Sequence, residues 1–232
     1  MHEPLNLRTV LSVLSKSSPY AVSTDRTESV SLGLDEVKEY LYIKTDIHRD
    51  FETALSSLSP TDNKIFFLCG SSGDGKSEIL TQASKKFSSK AYFHLDATHS
   101  FRPDATAIQT LDELFDKFEK NGKPLVVGIN TGMLGNYADG GAVESIKESF
   151  KAFLEKEETP GNHIYLDFER YPKFNLNIDG HSSDFAKRII GKITAQEDNI
   201  IRQYFDKEQK HDDGDKRLCT NYKLLSLVSV QN

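Results

Sequence analysis

A chain of 232 residues with 37% hydrophobic and 10% aromatic side chains has enough apolar material for one large packed domain, with or without a smaller flanking element. Its formal net charge of −6 offers no long-range attraction for nucleic acid, and two cysteines, Cys69 and Cys219, are too few for a disulfide framework. Reduced thiols and a cytoplasmic location are therefore expected, without membrane insertion, since no run approaches the roughly 18 apolar residues of a spanning helix.

Residues 1–60 read as a helical N-terminal region, with a short amphipathic segment at Leu5–Leu14 and a loop rich in Ser, Thr and Pro at Ser15–Thr27. Asp46–Leu58 places Ile47, Phe51, Ala54, Leu55 and Leu58 on one helical face, and Pro60 ends it. From residue 61 the pattern alternates. Ile65–Leu68 is a continuous apolar run, as a strand buried on both faces requires. A helix follows over Lys76–Phe87, then a strand over Ala91–Leu95, a helix over Asp104–Lys120 and a strand over Leu125–Asn130. Val143, Ile146, Phe150, Phe153 and Leu154 mark another helix, and His163–Phe168 a fourth strand. This βαβαβαβ order predicts an α/β fold with a parallel sheet flanked by helices. After Tyr171, helices are expected over Asp184–Ile193 and Asn199–Phe205, with Lys207–Arg217 a solvated loop or helix end.

Gly70-Ser71-Ser72-Gly73-Asp74-Gly75-Lys76-Ser77 matches the phosphate-binding loop G-x-x-x-x-G-K-[ST] at every position, between an apolar strand and a helix pattern. Glycines let the backbone N–H groups turn inward on phosphates, and the following helix presents its positive end to them. Lys76 is expected to reach the β and γ phosphates of a nucleoside triphosphate, and the Ser77 hydroxyl to coordinate Mg2+.

Such a site also needs an acid near the metal, at the carboxyl end of a strand. Asp96, after Tyr92-Phe93-His94-Leu95, and Asp167, after Ile164-Tyr165-Leu166, both qualify. Asp96 is preferred because Thr98, His99 and Ser100 continue a polar loop there, although Asp167 has the better apolar run and Glu169 behind it to orient an attacking water. Asp112-Glu113 reads as a solvated helix edge. Asn130 ends the strand Leu125–Asn130 and resembles the polar residue that senses the γ phosphate in AAA-type ATPases; its plainer role is a turn with Gly132. His94 and His99 flank Asp96 without the spacing of a metal site. Asp167, Glu169 and Lys173 invite comparison with nuclease sites, but their spacing departs from E-x-K. Arg170 and Arg188 are candidate arginine fingers.

Four stretches carry a family resemblance. Val13–Tyr20, Leu68–Leu80, His94–Phe101 and Val127–Leu134 look like the DptF-type protein of bacterial DNA phosphorothioation-dependent restriction, a resemblance running from about Leu11 to the end of the chain. It implies an ATP-binding component of a defence complex that attacks DNA lacking a sulfur-modified backbone, with partner subunits supplying other activities and DNA contacted indirectly or through regions beyond this chain. Family members are longer, so the chain is expected to be an N-terminal fragment, with turnover by the fragment alone in doubt.

Together these readings predict a P-loop NTPase of ASCE/AAA-like type at residues 61–232 behind the helical region. Its cofactors are ATP and Mg2+. Lys76, Asp96, Asn130, Asp167 and Glu169 are the expected catalytic set, and Ser77 and Asp96 the metal ligands. A homo-oligomer is a further expectation. The alternatives are a non-hydrolysing nucleotide switch and a P-loop kinase, which would need a basic lid.

Overall fold

The computed structural model describes residues 5–14, 32–98, 105–177, 180–211 and 214–230, with backbone alone at 32–33, 175–177, 180–181 and 228–230. The elements run α1 (Leu7–Ser12), α2 (Leu32–Leu41), α3 (Asp46–Ser56), β1 (Ile65–Cys69), α4 (Lys76–Phe87), β2 (Tyr92–His94), α5 (Ala107–Asn121), β3 (Leu125–Ile129) and α6 (Thr131–Gly140). They continue with α7 (Glu144–Glu155), β4 (His163–Asp167), a 3-10 turn (Phe168–Arg170), β5 (Asn175–Asn177), β6 (Gly180–Ser182), α8 (Asp184–Thr194), α9 (Ile200–Lys210) and α10 (Lys216–Val230). The chain divides into two units, Thr45–Pro172 and the pair of segments Met1–Lys44 with Lys173–Asn232.

In the unit Thr45–Pro172, four parallel strands lie in the order β2-β3-β1-β4. Every residue of β1 and β3 is buried, which explains their unbroken apolar sequence. On one face Phe66, Leu68, Val126 and Leu166 pack with Ile47, Phe51 and Leu55 of α3 and Ile79, Leu80 and Ala83 of α4. On the other, Phe67, Val127 and Ile129 pack with residues of α5, α6 and α7, where Phe67 sits 4.9 Å from Phe150 and 4.8 Å from Tyr165 between ring centroids. Helix α3 thus belongs to this unit, whereas the sequence reading grouped it with residues 1–60; its apolar face is what draws it onto the sheet.

The register aligns Cys69 with both Ile129 and Asp167, and His94 with Val127. All four strands therefore finish at one edge of the sheet, and the loops that follow them gather there.

The split unit is helical, with a two-stranded antiparallel pairing of β5 and β6. Leu7, Val10, Val37, Leu41, Ile193, Ile201, Phe205 and Tyr222 form its core. Buried Asn199 ties it together: its Oδ1 accepts from Ile201 N at 2.9 Å, and its Nδ2 donates to Ile193 O and Ala195 O, each at 2.9 Å. The charged stretch Lys207–Arg217 divides between the end of α9 and the start of α10. Among the described residues no helix is long and apolar enough to cross a membrane.

Candidate phosphate-binding site

Strand β1 delivers the chain into the loop at Gly70, where a side chain would crowd its neighbours. A Cβ there would lie 2.7 Å from the Asp74 carboxylate and 3.0 Å from the Phe168 ring. Gly73 and Gly75 take φ of +85° and +101°, left-handed values that disfavour any residue with a Cβ. Gly75 is also the N-cap of α4, and its carbonyl accepts from Ile79 N at 3.2 Å. Ser71, Ser72 and Gly73 are exposed, and Ser77 is half-buried in the first turn of α4.

Lys76 reaches back across this loop. Its ammonium donates to Gly70 O at 2.8 Å and to Ser71 O at 2.7 Å, which engages two of its three N–H donors and holds the charge at the loop's opening. Burial lowers its pKa, opposed by the carboxylates of Asp74 and Asp96.

Asp96 lies two residues beyond His94, the last paired residue of β2. Its Oδ1 accepts from Thr98 N at 2.9 Å and Thr98 Oγ1 at 2.6 Å, an Asx-turn that sets the carboxylate's direction. What brings this segment close is Gly128, in the middle of β3. A Cβ on Gly128 would sit 2.5 Å from Leu95 O and would collide with the Leu80 side chain of α4. The Gly128 carbonyl accepts from Ala97 N at 2.9 Å. Gly128 was not among the expected site residues, yet a lone glycine in an apolar strand is the signal for close backbone approach.

Asn130 follows β3, between the ends of β1 and β2 in the sheet order. It is the N-cap of α6: its Oδ1 accepts from Met133 N at 2.7 Å, so the expected turn with Gly132 is the start of a helix.

Asp167 ends β4 on the other flank of β1 and caps the 3-10 turn, accepting from Glu169 N at 3.0 Å. Its register partner Cys69 packs with the α5–α7 side of the sheet, opposite α4. Burial, then the Asp167 charge, pushes the Cys69 thiol far up, so this cysteine stays a neutral core group. Glu169 and Arg170 are exposed on the turn. Arg188 belongs to the split unit, where it donates to Lys44 O at 3.2 Å. His94 is buried, and His99, Ser100 and Phe101 lie outside the described residues, as do residues 15–20.

One expectation is corrected in part. Glu113 is exposed at the helix edge as expected, but Asp112 is half-buried and bonded: its Oδ1 accepts from Tyr137 Oη and from Ala142 N, both at 2.7 Å, joining α5 to α6 and to the loop after it. With burial, that carboxylate also raises the Tyr137 pKa.

Two described cavities, of about 330 and 510 Å³, are lined by residues of the split unit and include no residue of the loop. Left-handed glycines and an oriented ammonium mark the loop as the phosphate-binding candidate on chemistry rather than depth. Comparison with protein-family models, with curated proteins and with solved structures finds no match.

Proposed function

We propose that the unit Thr45–Pro172 binds ATP with Mg2+ and hydrolyses it, as an ASCE/AAA-like P-loop domain. The observation that carries this reading is the Lys76 ammonium, tethered to the carbonyls of Gly70 and Ser71 at the mouth of a loop bent by two left-handed glycines. That geometry suits a polyphosphate.

Mg2+ usually takes one or two protein oxygens together with phosphate oxygens and water. The donor set fits that habit: the Ser77 hydroxyl lies in the first turn of α4, and Asp96 is, with Asp74, one of two carboxylates whose charge acts on Lys76. The metal would neutralise charge developing on the phosphates. Asn130, placed between these groups in strand order, would contact the γ phosphate through its amide N–H, since its carbonyl oxygen caps α6. Asp167 and Glu169 remain candidates to orient the attacking water. By its resemblance to the DptF-type family, the chain would act in the cytoplasm within a restriction complex whose other subunits carry the DNA chemistry, alone or as a homo-oligomer.

A non-hydrolysing switch is the second reading. It is favoured by the residue after Asp96, which is the fully buried Ala97 where a hydrolytic site often has a second acid. Magnesium-dependent ATP binding by wild type and Lys76→Ala, followed by phosphate release, separates the readings. Binding lost in the variant, with multiple turnovers by wild type, supports the ATPase. Binding without release supports the switch, and transfer of phosphate to an added acceptor supports a kinase. No binding by wild type overturns the nucleotide reading.

A further inference from the structure

Asp74 is the one acidic residue of the eight-residue loop, set where the ligand is a polyanion. A carboxylate there works against phosphate binding unless it does something else. The structure shows what it grips. Its Oδ2 accepts from Ser71 N at 2.5 Å and lies against Gly70, 2.7 Å from the position a Cβ would take.

Gly70 O and Ser71 N belong to the same peptide group. Asp74 holds its N–H end, while the Lys76 ammonium holds its C=O end at 2.8 Å and the next carbonyl, Ser71 O, at 2.7 Å. One peptide plane is thus clamped between a carboxylate and an ammonium. The clamp orients the carbonyls that hold Lys76. It also sets a carboxylate within the loop proposed to hold the phosphates.

Resting on the nucleotide-binding reading, we infer that Asp74 is a specificity residue that makes the loop select the magnesium complex of a nucleoside triphosphate over the metal-free anion. Magnesium brings two positive charges with the ligand, so repulsion by a fixed carboxylate falls most heavily on the free nucleotide. The same residue that positions Lys76 therefore sets a threshold against uncomplexed polyphosphate. Lys76 attracts both ligand forms, and Asp96 is reserved for the metal. Only Asp74 adds repulsion from within the loop itself.

The test is isothermal titration of the full chain with ATP, once in excess MgCl2 and once in excess EDTA, for wild type, Asp74→Asn and Asp74→Ser. Asparagine keeps an oxygen for Ser71 N and removes the charge; serine removes the charge with a shorter acceptor. The expected result is that both variants bind metal-free ATP on the order of threefold to tenfold more tightly than wild type at low salt. In Asp74→Asn, which keeps the acceptor for Ser71 N, binding of the magnesium complex should change by less than about twofold, so the magnesium preference narrows. Added salt should narrow the wild-type preference in the same direction. An unchanged ratio in both variants overturns the assignment, as does equal weakening of both ligand forms, which would make Asp74 a brace for the loop and nothing more. Wild type that binds neither form overturns the nucleotide reading instead, a result distinct from either.

Discussion

Gly128 and Leu95 meet backbone to backbone: the Leu95 carbonyl oxygen stands 2.5 Å from where a Gly128 Cβ would be. Ala97 N then donates to Gly128 O at 2.9 Å, so the chain carrying Asp96 is held directly against β3. The Leu80 side chain can rotate away from an added methyl, but the Leu95 carbonyl cannot.

Gly128→Ala should therefore cost about 1–3 kcal/mol by overpacking and displace Asp96 from the sheet edge. Urea unfolding checks the first effect. The second is checked by magnesium-dependent ATP affinity, which should fall more than metal-free affinity. A variant as stable as wild type would mean that the contact relaxes without strain.

His163 offers a prediction in pH. It is buried, its Nδ1 lies 2.8 Å from Ser149 Oγ, and that hydroxyl lies 2.7 Å from Tyr165 Oη. Burial lowers the imidazole pKa below its ordinary 6.5, against a smaller opposing effect of Glu119. A depressed histidine pKa means that the unfolded chain takes up the proton first. Its contribution is complete above the unfolded value of 6.5 and is lost as pH falls from there toward the folded value. Urea midpoints between pH 7.5 and pH 5 should decline less steeply in His163→Gln than in wild type. Parallel declines would show that the imidazole titrates alike in both states.

In the split unit, Asn199→Ala removes the cap of α9 together with donors to the buried Ile193 carbonyl and the half-buried Ala195 carbonyl. A loss of about 1–2 kcal/mol is expected, chiefly from the lost cap, because the buried Ile193 carbonyl keeps the Tyr222 hydroxyl as a donor. Asn199→Asp should keep the cap and lose the donors, recovering part of that loss in thermal unfolding.

The sheet and its loop were readable from the chain because each rests on a local rule. Ile65–Cys69 and Leu125–Ile129 are apolar without interruption, and Lys76–Phe87 begins at a motif that itself requires a helix start. Helix α6 was not readable. Gly132, Gly135 and Gly140 give Thr131–Gly140 the composition of a loop, and it is the Asn130 cap with burial of Leu134, Tyr137 and Ala138 that makes it helical. The joining of α1 to α9 across some two hundred residues, in one core with Leu7, Val10 and Ile201, leaves no trace in periodicity. Asp112 was misread for a related reason: its partners Tyr137 and Ala142 lie on other elements, and a helix pattern reports only its own faces.

The rivalry between Asp96 and Asp167 is settled by experiment on one asymmetry. The Asp96 charge acts on Lys76 directly, whereas the Asp167 charge acts on Cys69, a buried thiol that Lys76 also influences. A metal held by the Ser77 hydroxyl would draw on a carboxylate that acts on Lys76, as Asp96 does. Asp96→Ala should then weaken magnesium-dependent ATP binding by at least about tenfold, or 1.4 kcal/mol, while metal-free binding, relieved of a carboxylate that acts on Lys76, holds or tightens. Asp167→Ala should leave both affinities within about threefold and act instead on stability, by about 0.5–2 kcal/mol, through loss of its cap on the turn at Phe168–Arg170. If magnesium dependence vanishes in Asp167→Ala and survives in Asp96→Ala, the metal ligand is Asp167. Glu169 beside it would then be the first residue to test for a role in positioning water.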